Sequence, residues 1–467
     1  MITYDVANAG PDPLYEFLYK NIKNDIAQGI LKPGEKLPSK RQFAKNLGVS
    51  VATVENAYGQ LAAEGYIYSL PKSGFFVADF KSRACAKRPA VAEGPPPLTE
   101  GAGPFLADFS SNQTETELFP FTIWSKVIRE VLNDSRVQLM TNSPCGGTVL
   151  LRENIVRYLK AFRNMDVQPA QVVVGAGTEY LYGLLIQLLG KGPVYAVENP
   201  GYQKLEKIYG SYGVACRWIS MDGAGIRIDD LKRQGADIVH VTPSHQYPMG
   251  IVMPISRRYE LLGWASEMEG RYIIEDDYDS ELRLSGQPIP PLQSIDMSDK
   301  VIYMNTFTKT LCSTVRISYM VLPQKLLPLF YGKLSFYSCT VSNFEQYTLA
   351  RFIEEGKFES HINRLRNYYR KKRDILLAEL EASRLGKLVS LSGEEAGLHF
   401  LMEVHTGLPE ALIVGRAKEK GIRLLPLSGY YYGEERKREN VYVMNYSSID
   451  VDKAKEVMER LYDCCVE

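Results

Sequence analysis

TFTKTLCSTVRISYM, residues 306–320, sets a lysine and an arginine seven residues apart in a hydroxyl-rich turn. The apolar run 301–305 before it and the run 317–322 that closes it read as buried strands. Short apolar segments bounded by turn residues suit a sheet covered on both faces. On one reading Lys309 is a solvated loop lysine and Arg316 pairs with some carboxylate. On the other, Lys309 makes an imine with a carbonyl group while Arg316 and Thr306 hold a phosphate. The rest of the chain has to decide.

Upstream, the strand-like run 171–174 leads into Gly175-Ala176-Gly177-Thr178, and then Leu181, Leu184, Leu185 and Leu188 recur at helical spacing. A glycine turn opening a helix is a ready anion site, although tight strand-to-helix turns need glycine anyway. Three more runs end in polar loops: 194–197 in ENPGY with Tyr202, 238–241 in TPSHQYPMG, and 272–274 in EDDYD. Tyr202 can stack on a flat ring or simply pack. The four acids at 275–279 suit either a metal or one aspartate set against a protonated ring nitrogen. Alternating strands and helices predict a mainly parallel sheet with helices on both faces, and ligands of such sheets gather at the carboxyl ends of the strands. A phosphate site, a stacking aromatic, a carboxylate, a phenol and a lysine together describe a pocket for pyridoxal 5'-phosphate (PLP). There the carboxylate keeps the pyridine protonated, and desolvation strips the lysine of its proton.

The chain begins differently. Residues 12–80 read as helix, helix, helix, hairpin. Leu14, Phe17, Leu18, Ile22 and Ile26 form a helical stripe; Ser39, with Gln42 three residues on, opens a second helix as a capping box; Ser50 caps a third. The strands 66–69 and 75–78 then flank the turn Pro71-Lys72-Ser73-Gly74. That pattern is a winged helix-turn-helix, whose third helix enters a major groove while hydroxyls and basic groups meet phosphates. The candidate DNA contacts are Ser50 and Thr53 on the third helix, Arg41 on the second, and Lys72, Ser73 and Gly74 at the wing tip. A small helical module for protein contacts has the same pattern.

Between head and body, residues 81–104 are rich in Pro, Ala and Gly, a semi-stiff tether. The expected domains are therefore 1–80, the tether 81–104, and the body 105–467, with a large part over about 140–325 and a small α+β part over about 326–467. Residues 1–88 carry 12 Lys/Arg against 8 Asp/Glu, and the remainder 43 against 47, a mildly basic head on a mildly acidic body. No apolar run approaches the ~20 residues of a membrane span. The start lacks a signal-peptide pattern, and the seven scattered cysteines contain no CxxC pair, which favours the cytoplasm and neither a disulfide scaffold nor a zinc site.

Residues 34–67, GEKLPSKRQFAKNLGVSVATVENAYGQLAAEGYI, resemble the DNA-binding domain of GntR-type bacterial regulators, although Val51 and Glu55 stand where many relatives carry basic residues. The body resembles fold-type I aminotransferases. Head, tether and body in this order resemble the MocR-type GntR subfamily, segment by segment in TPSHQYPMG, EDDYDSE, TFTKTL with Arg316, and HINRLRNYYRKKRDIL. The resemblance implies that Lys309 is the Schiff-base lysine, that Asp276 meets the pyridine nitrogen (chosen over Asp277 by the Asp-x-Tyr spacing), and that Tyr278 meets the ring hydroxyl. It implies that Tyr202 stacks on the ring and that Ala176, Gly177, Thr178, Thr306 and Arg316 hold the phosphate. It also implies a homodimer. The chain departs from the aminotransferase pattern twice. Tyr247 replaces an asparagine, and Val443 stands where an arginine would fork a substrate carboxylate, a role left to Arg423 or a partner chain.

The expectation is a cytoplasmic transcriptional regulator that binds double-stranded DNA, carries PLP, and senses PLP or an amino acid or amine adduct of it. A working aminotransferase with an accessory head is the first rival, and a scaffold whose body only dimerises is the second.

Overall fold

The computed structural model describes residues 2–6, 13–79, 105–111, 114–286, 289–433 and 437–466. The expected tether at 81–104 lies outside the described residues. The chain divides into two compact units, Met1–Gly101 and Ala102–Glu467.

In the first unit, α1 (Leu14–Ala27), α2 (Lys40–Leu47) and α3 (Val51–Ala63) precede the hairpin β1 (Ile67–Leu70) and β2 (Gly74–Val77). Their apolar stripes converge: Leu18 and Ile22 of α1 meet Phe43 of α2, Val54 and Leu61 of α3, and Val77 of the wing. Ser39 caps α2 by accepting from the Gln42 amide at 3.3 Å. The Gln42 side chain turns instead to Asn46 Oδ1, so the capping box is half made. Gly48, at φ +67°, ends α2 in a left-handed turn that a side chain rarely adopts. Lys36 bridges to Phe76, adding a short third rung to the wing.

The second unit is built on an eight-stranded sheet. Its strands are β4 (Val172–Gly175), β5 (Tyr195–Asn199), β6 (Cys216–Asp222), β7 (Gly225–Ile226), β8 (Ile238–Val241), β9 (Tyr272–Asp276), β10 (Val301–Thr306) and β11 (Ser318–Val321), in the order β4-β11-β10-β9-β8-β5-β6-β7. The run from β6 through β5, β8 and β9 to β10 is parallel. β11 lies antiparallel between β10 and β4. Side chains alternate between two cores: Tyr303, Tyr319 and Val321 pack in one, and Ile302, Met304 and Met320 in the other. Both faces are therefore covered, which explains why these strands are apolar throughout.

The rest of the unit adds the antiparallel sheet β12 (Val389–Ser392), β13 (His399–Val404) and β15 (Val441–Asn445). A second small sheet pairs β3 (Ala107–Asp108) in parallel with β14 (Ile422–Arg423). The helix Lys357–Ala382 contributes Leu365, Tyr369 and Leu376 to the core that also holds Phe400 and Met444. Among the described residues no helix is long and apolar enough to cross a membrane.

Candidate functional site

The four acids at the end of β9 and just beyond it do four different things. Glu275 is buried and accepts the Leu292 and Gln293 amides at 2.6 and 2.9 Å, tying down the neighbouring loop. Asp277 is held by Arg163, the Tyr303 hydroxyl at 2.7 Å and the Ser280 hydroxyl at 2.8 Å. Asp279 meets His245 Nδ1 at 2.8 Å. Asp276 accepts the Tyr182 hydroxyl at 2.6 Å and has His240 Nε2 at 3.5 Å, while its Oδ1 is buried with no protein partner. An unpaired buried carboxylate oxygen is costly; Asp277 Oδ1 is unpaired as well, but its carboxylate is already met by the Arg163 cation, which leaves Asp276 the better suited of the two to receive a ligand N–H. Among the described residues no three His, Cys, Asp or Glu side chains are grouped to hold a metal.

Tyr182 and His240 were not singled out from the sequence. Tyr182 lies on the helix Thr178–Leu189 amid its apolar residues, and His240 lies inside β8. Nothing in the local pattern marks either as a partner of Asp276.

The turn after β4 brings Gly177, Thr178 and Arg316 together. Gly177 has φ +94°, and a Cβ there would collide with the Arg316 guanidinium, so only glycine lets the arginine lie across the helix start. Arg316 is itself at φ +51° and stands 3.8 Å from Glu179, which also pairs with Lys204. Thr306 is turned inward, its Oγ1 accepting from Ser318 Oγ at 2.8 Å and from the Thr308 amide at 3.1 Å. The Ala176 amide donates to Thr340 Oγ1 at 3.0 Å, a residue absent from the sequence reading. Arg316 is thus exposed over a buried Gly177, with Thr178 half-buried beside it. Thr306 is hydrogen-bonded to Ser318 and Thr308, and Ala176 is tied to Thr340.

Lys309 lines a small cavity with Tyr247, Tyr278, Asp279, Leu398, His399 and Asn445. Burial lowers its pKa to about 8, opposed by the charge of Asp279. Tyr278 places its hydroxyl 3.3 Å from His245 Nδ1. Tyr202 is 46% exposed, its ring 6.0 Å from that of Tyr247 and edge-on to it. The loops carrying these two tyrosines are joined by Gln246, whose amide donates to the Pro200 and Tyr247 carbonyls at 3.0 and 2.8 Å. Below them Glu198 accepts the Thr242 hydroxyl at 2.8 Å, and burial pushes its carboxyl up to about 7.

Val443 is buried in an apolar cluster with Leu401, Leu427, Tyr430 and Val441, against which Tyr247 packs. The Tyr247 and Tyr430 hydroxyls lie 2.6 Å apart. Arg423 does not take over the missing arginine's place within this chain: it stands 3.6 Å from Asp108 and over the Phe105 ring.

On the first unit, Arg41, Ser50, Lys72 and Ser73 are exposed, and Thr53 and Gly74 are half-buried. Ser50 Oγ accepts the Thr53 amide at 3.1 Å and lies 2.8 Å from the Thr53 hydroxyl, so the two hydroxyls sit side by side at the start of α3. Lys72 forms the wing tip at φ +64°. Glu55, an unfavourable charge near a nucleic acid, pairs with Lys40 at 2.5 Å.

Comparison with known proteins agrees with both halves. The family described as "Bacterial regulatory proteins, gntR family" matches residues 14–77. The chain is 40% identical to the "Uncharacterized HTH-type transcriptional regulator YdeL" of Bacillus subtilis, over 90% of each chain. It is 30% identical to the "Probable rhizopine catabolism regulatory protein MocR" of Rhizobium meliloti, over 96% of this chain and 93% of that one. Its fold also matches the crystal structure of Pyrococcus horikoshii kynurenine aminotransferase "in complex with PMP, KYN as substrates and KYA as products". That match has a TM-score of 0.68 and 26% identity, and covers 77% of this chain and 90% of that one.

Proposed function

The chain belongs to the MocR-type GntR transcriptional regulators, a DNA-binding head joined to an aminotransferase-like body, and on that premise we propose that it is a cytoplasmic, homodimeric regulator whose body binds PLP on Lys309 and reports PLP, or an amine or amino acid captured by it, to a double-stranded operator. The observation that carries the proposal is the buried Asp276 oxygen without a protein partner, supported by the lowered basicity that burial gives Lys309.

The residues present fit the group. Asp276, braced by Tyr182, accepts the pyridinium N–H. Tyr278 donates to the ring hydroxyl, and Tyr202 covers the ring. Thr178 offers a helix-start amide to the phosphate, whose charge Arg316 balances, with Ala176, Gly177 and Thr306 shaping the cradle. Bound PLP supplies an aldehyde for Lys309 and an electron-withdrawing ring. Lys309 gives up its proton readily because burial disfavours the ammonium.

In the head, Arg41, Lys72 and Ser73 reach phosphates, Gly74 shapes the wing tip, and Ser50 and Thr53 lead α3 into the groove. The Lys40–Glu55 pair removes the repulsion that Glu55 would otherwise add.

Val443 in its apolar cluster favours a sensor over an aminotransferase, since it cannot fork a substrate carboxylate. The deciding experiment titrates DNA binding with and without PLP, beside a search for turnover with amino acid and keto acid pairs. A change in DNA affinity without sustained turnover supports the sensor. Rapid turnover with unchanged DNA binding supports the enzyme.

A further inference from the structure

TPSHQYPMG contains a histidine that the cofactor reading does not use. His245 is buried, and its Nδ1 lies 2.8 Å from Asp279 Oδ2. Asp279 is buried in turn and lines the same cavity as Lys309. Gly397 makes the contact possible: at φ +66°, a Cβ there would strike both the His245 ring and Asp279 Oδ2. On the far side of His245 a second small cavity shares Asp279 as a wall and is lined also by Arg163, Ser244 and Arg283. Arg163 Nε, Arg283 Nε, Ser244 Oγ and His245 Nε2 have no protein partner. Polar atoms converging on a small buried space suit an ordered water, which would donate to Nε2 and leave the Nδ1 proton for Asp279.

We propose that Asp279, clamped by His245, is the counter-charge of Lys309, a positioning pair that holds the lysine in the pocket and keeps part of its basicity. The proposal rests on the reading of Lys309 as the cofactor lysine. The lysine's cavity is lined by Tyr247, Tyr278, Asp279, Leu398, His399 and Asn445. Asp279 is the one carboxyl group among the described residues lining its cavity, Tyr247 and Tyr278 are phenols, and His399 is pushed well towards its neutral form, first by burial and then by His245 and Lys309. Burial and Asp279 pull Lys309 in opposite directions. Asp279 itself faces His245, Tyr278, Arg163 and Arg283, and Tyr446 feels its charge. The pair therefore sets the balance: without the carboxylate, burial acts on the lysine unopposed. His245 matters because its contact at 2.8 Å fixes the Asp279 carboxylate in place on the wall of the lysine's cavity.

The test uses the full chain free of PLP. Competitive labelling with trace acetic anhydride between pH 6 and 11, read by mass spectrometry of the Lys309 peptide, gives the lysine's own titration without any cofactor. Asp279→Asn lowers the midpoint by about one unit, or roughly tenfold more labelling at neutral pH. His245→Leu moves it the same way by less, and Asp279→Glu restores it. A purely structural role for the pair moves thermal stability and leaves the midpoint in place. If Asp279→Asn does not fold, His245→Leu carries the test alone. A midpoint unmoved or raised in the folded variants overturns the proposal. A shifted midpoint in a protein that never takes up PLP leaves this inference standing and sinks the functional reading instead.

Discussion

His361 Nε2 donates to the carbonyl of Thr310, one residue beyond Lys309, at 2.7 Å. The contact fastens the long helix Lys357–Ala382 to the loop that presents the lysine. Burial lowers the His361 pKa to about 4, so the ring is neutral and its single proton is committed to this bond.

The folded state therefore binds fewer protons at His361 than the unfolded chain between pH 4 and 6.5. The stability tied to this group is fully present above pH 6.5 and is lost as pH falls towards 4. His361→Leu costs about 1–3 kcal/mol near neutral pH, because the buried Thr310 carbonyl loses its donor. It also flattens the acid dependence in that window. Urea unfolding at a series of pH values checks both.

Lys309→Ala abolishes borohydride-reducible attachment of PLP and the visible absorbance of the bound cofactor. It also stabilises the cofactor-free protein. With a folded pKa of about 8 against 10.5, the unfolded chain holds more protons at this lysine, so its burial is most costly below pH 8. The advantage of the variant shrinks as pH rises from 8 to 10.5. Melting curves across that range, without PLP, read the sign directly.

Gly177→Ala drives a methyl group into the Arg316 guanidinium from a backbone at φ +94°. Strain of this kind costs about 1–3 kcal/mol, and displacing the arginine weakens PLP binding by roughly tenfold or more. Equilibrium binding followed by fluorescence measures the loss, with inorganic phosphate as a competitor to show that the phosphate site is the part damaged.

Arg41→Ala and Lys72→Ala each reduce the salt slope of DNA binding by about 0.9, one phosphate contact apiece, on all sequences alike. Thr53→Ala changes sequence preference more than salt slope. Ser50→Ala removes the cap that receives the Thr53 amide and lowers the head's stability by about 1 kcal/mol. Titrations at several salt concentrations, on specific and random duplexes, separate the three effects.

Transamination is expected to be slow at most. Losing a bidentate charged contact costs about 2–5 kcal/mol, or some two to three orders of magnitude in rate, and Val443 sits among apolar side chains. Stopped-flow mixing with common amino acids is expected to show single, slow spectral changes without multiple turnover.

The sequence alone determined the elements and their order, because helical stripes such as Leu18, Ile22 and Ile26, and buried runs such as 301–305, are written in adjacent residues. It also marked the polar segments at the carboxyl ends of the buried runs as candidate loops. What each residue in those loops does was decided by partners far along the chain. Asp276 and Asp277 are neighbours of the same type, yet one meets Tyr182, 94 residues away, and the other Arg163, 114 residues away. Successive side chains of a strand point to opposite faces, so the two aspartates enter different surroundings that no local pattern encodes. The same holds for β3, whose partner β14 is some three hundred residues on, and for Thr340 at the Ala176 amide. Periodicity is a property of neighbours in sequence; pairing, burial and charge balance are properties of neighbours in space, and only the packed sheet brings those together.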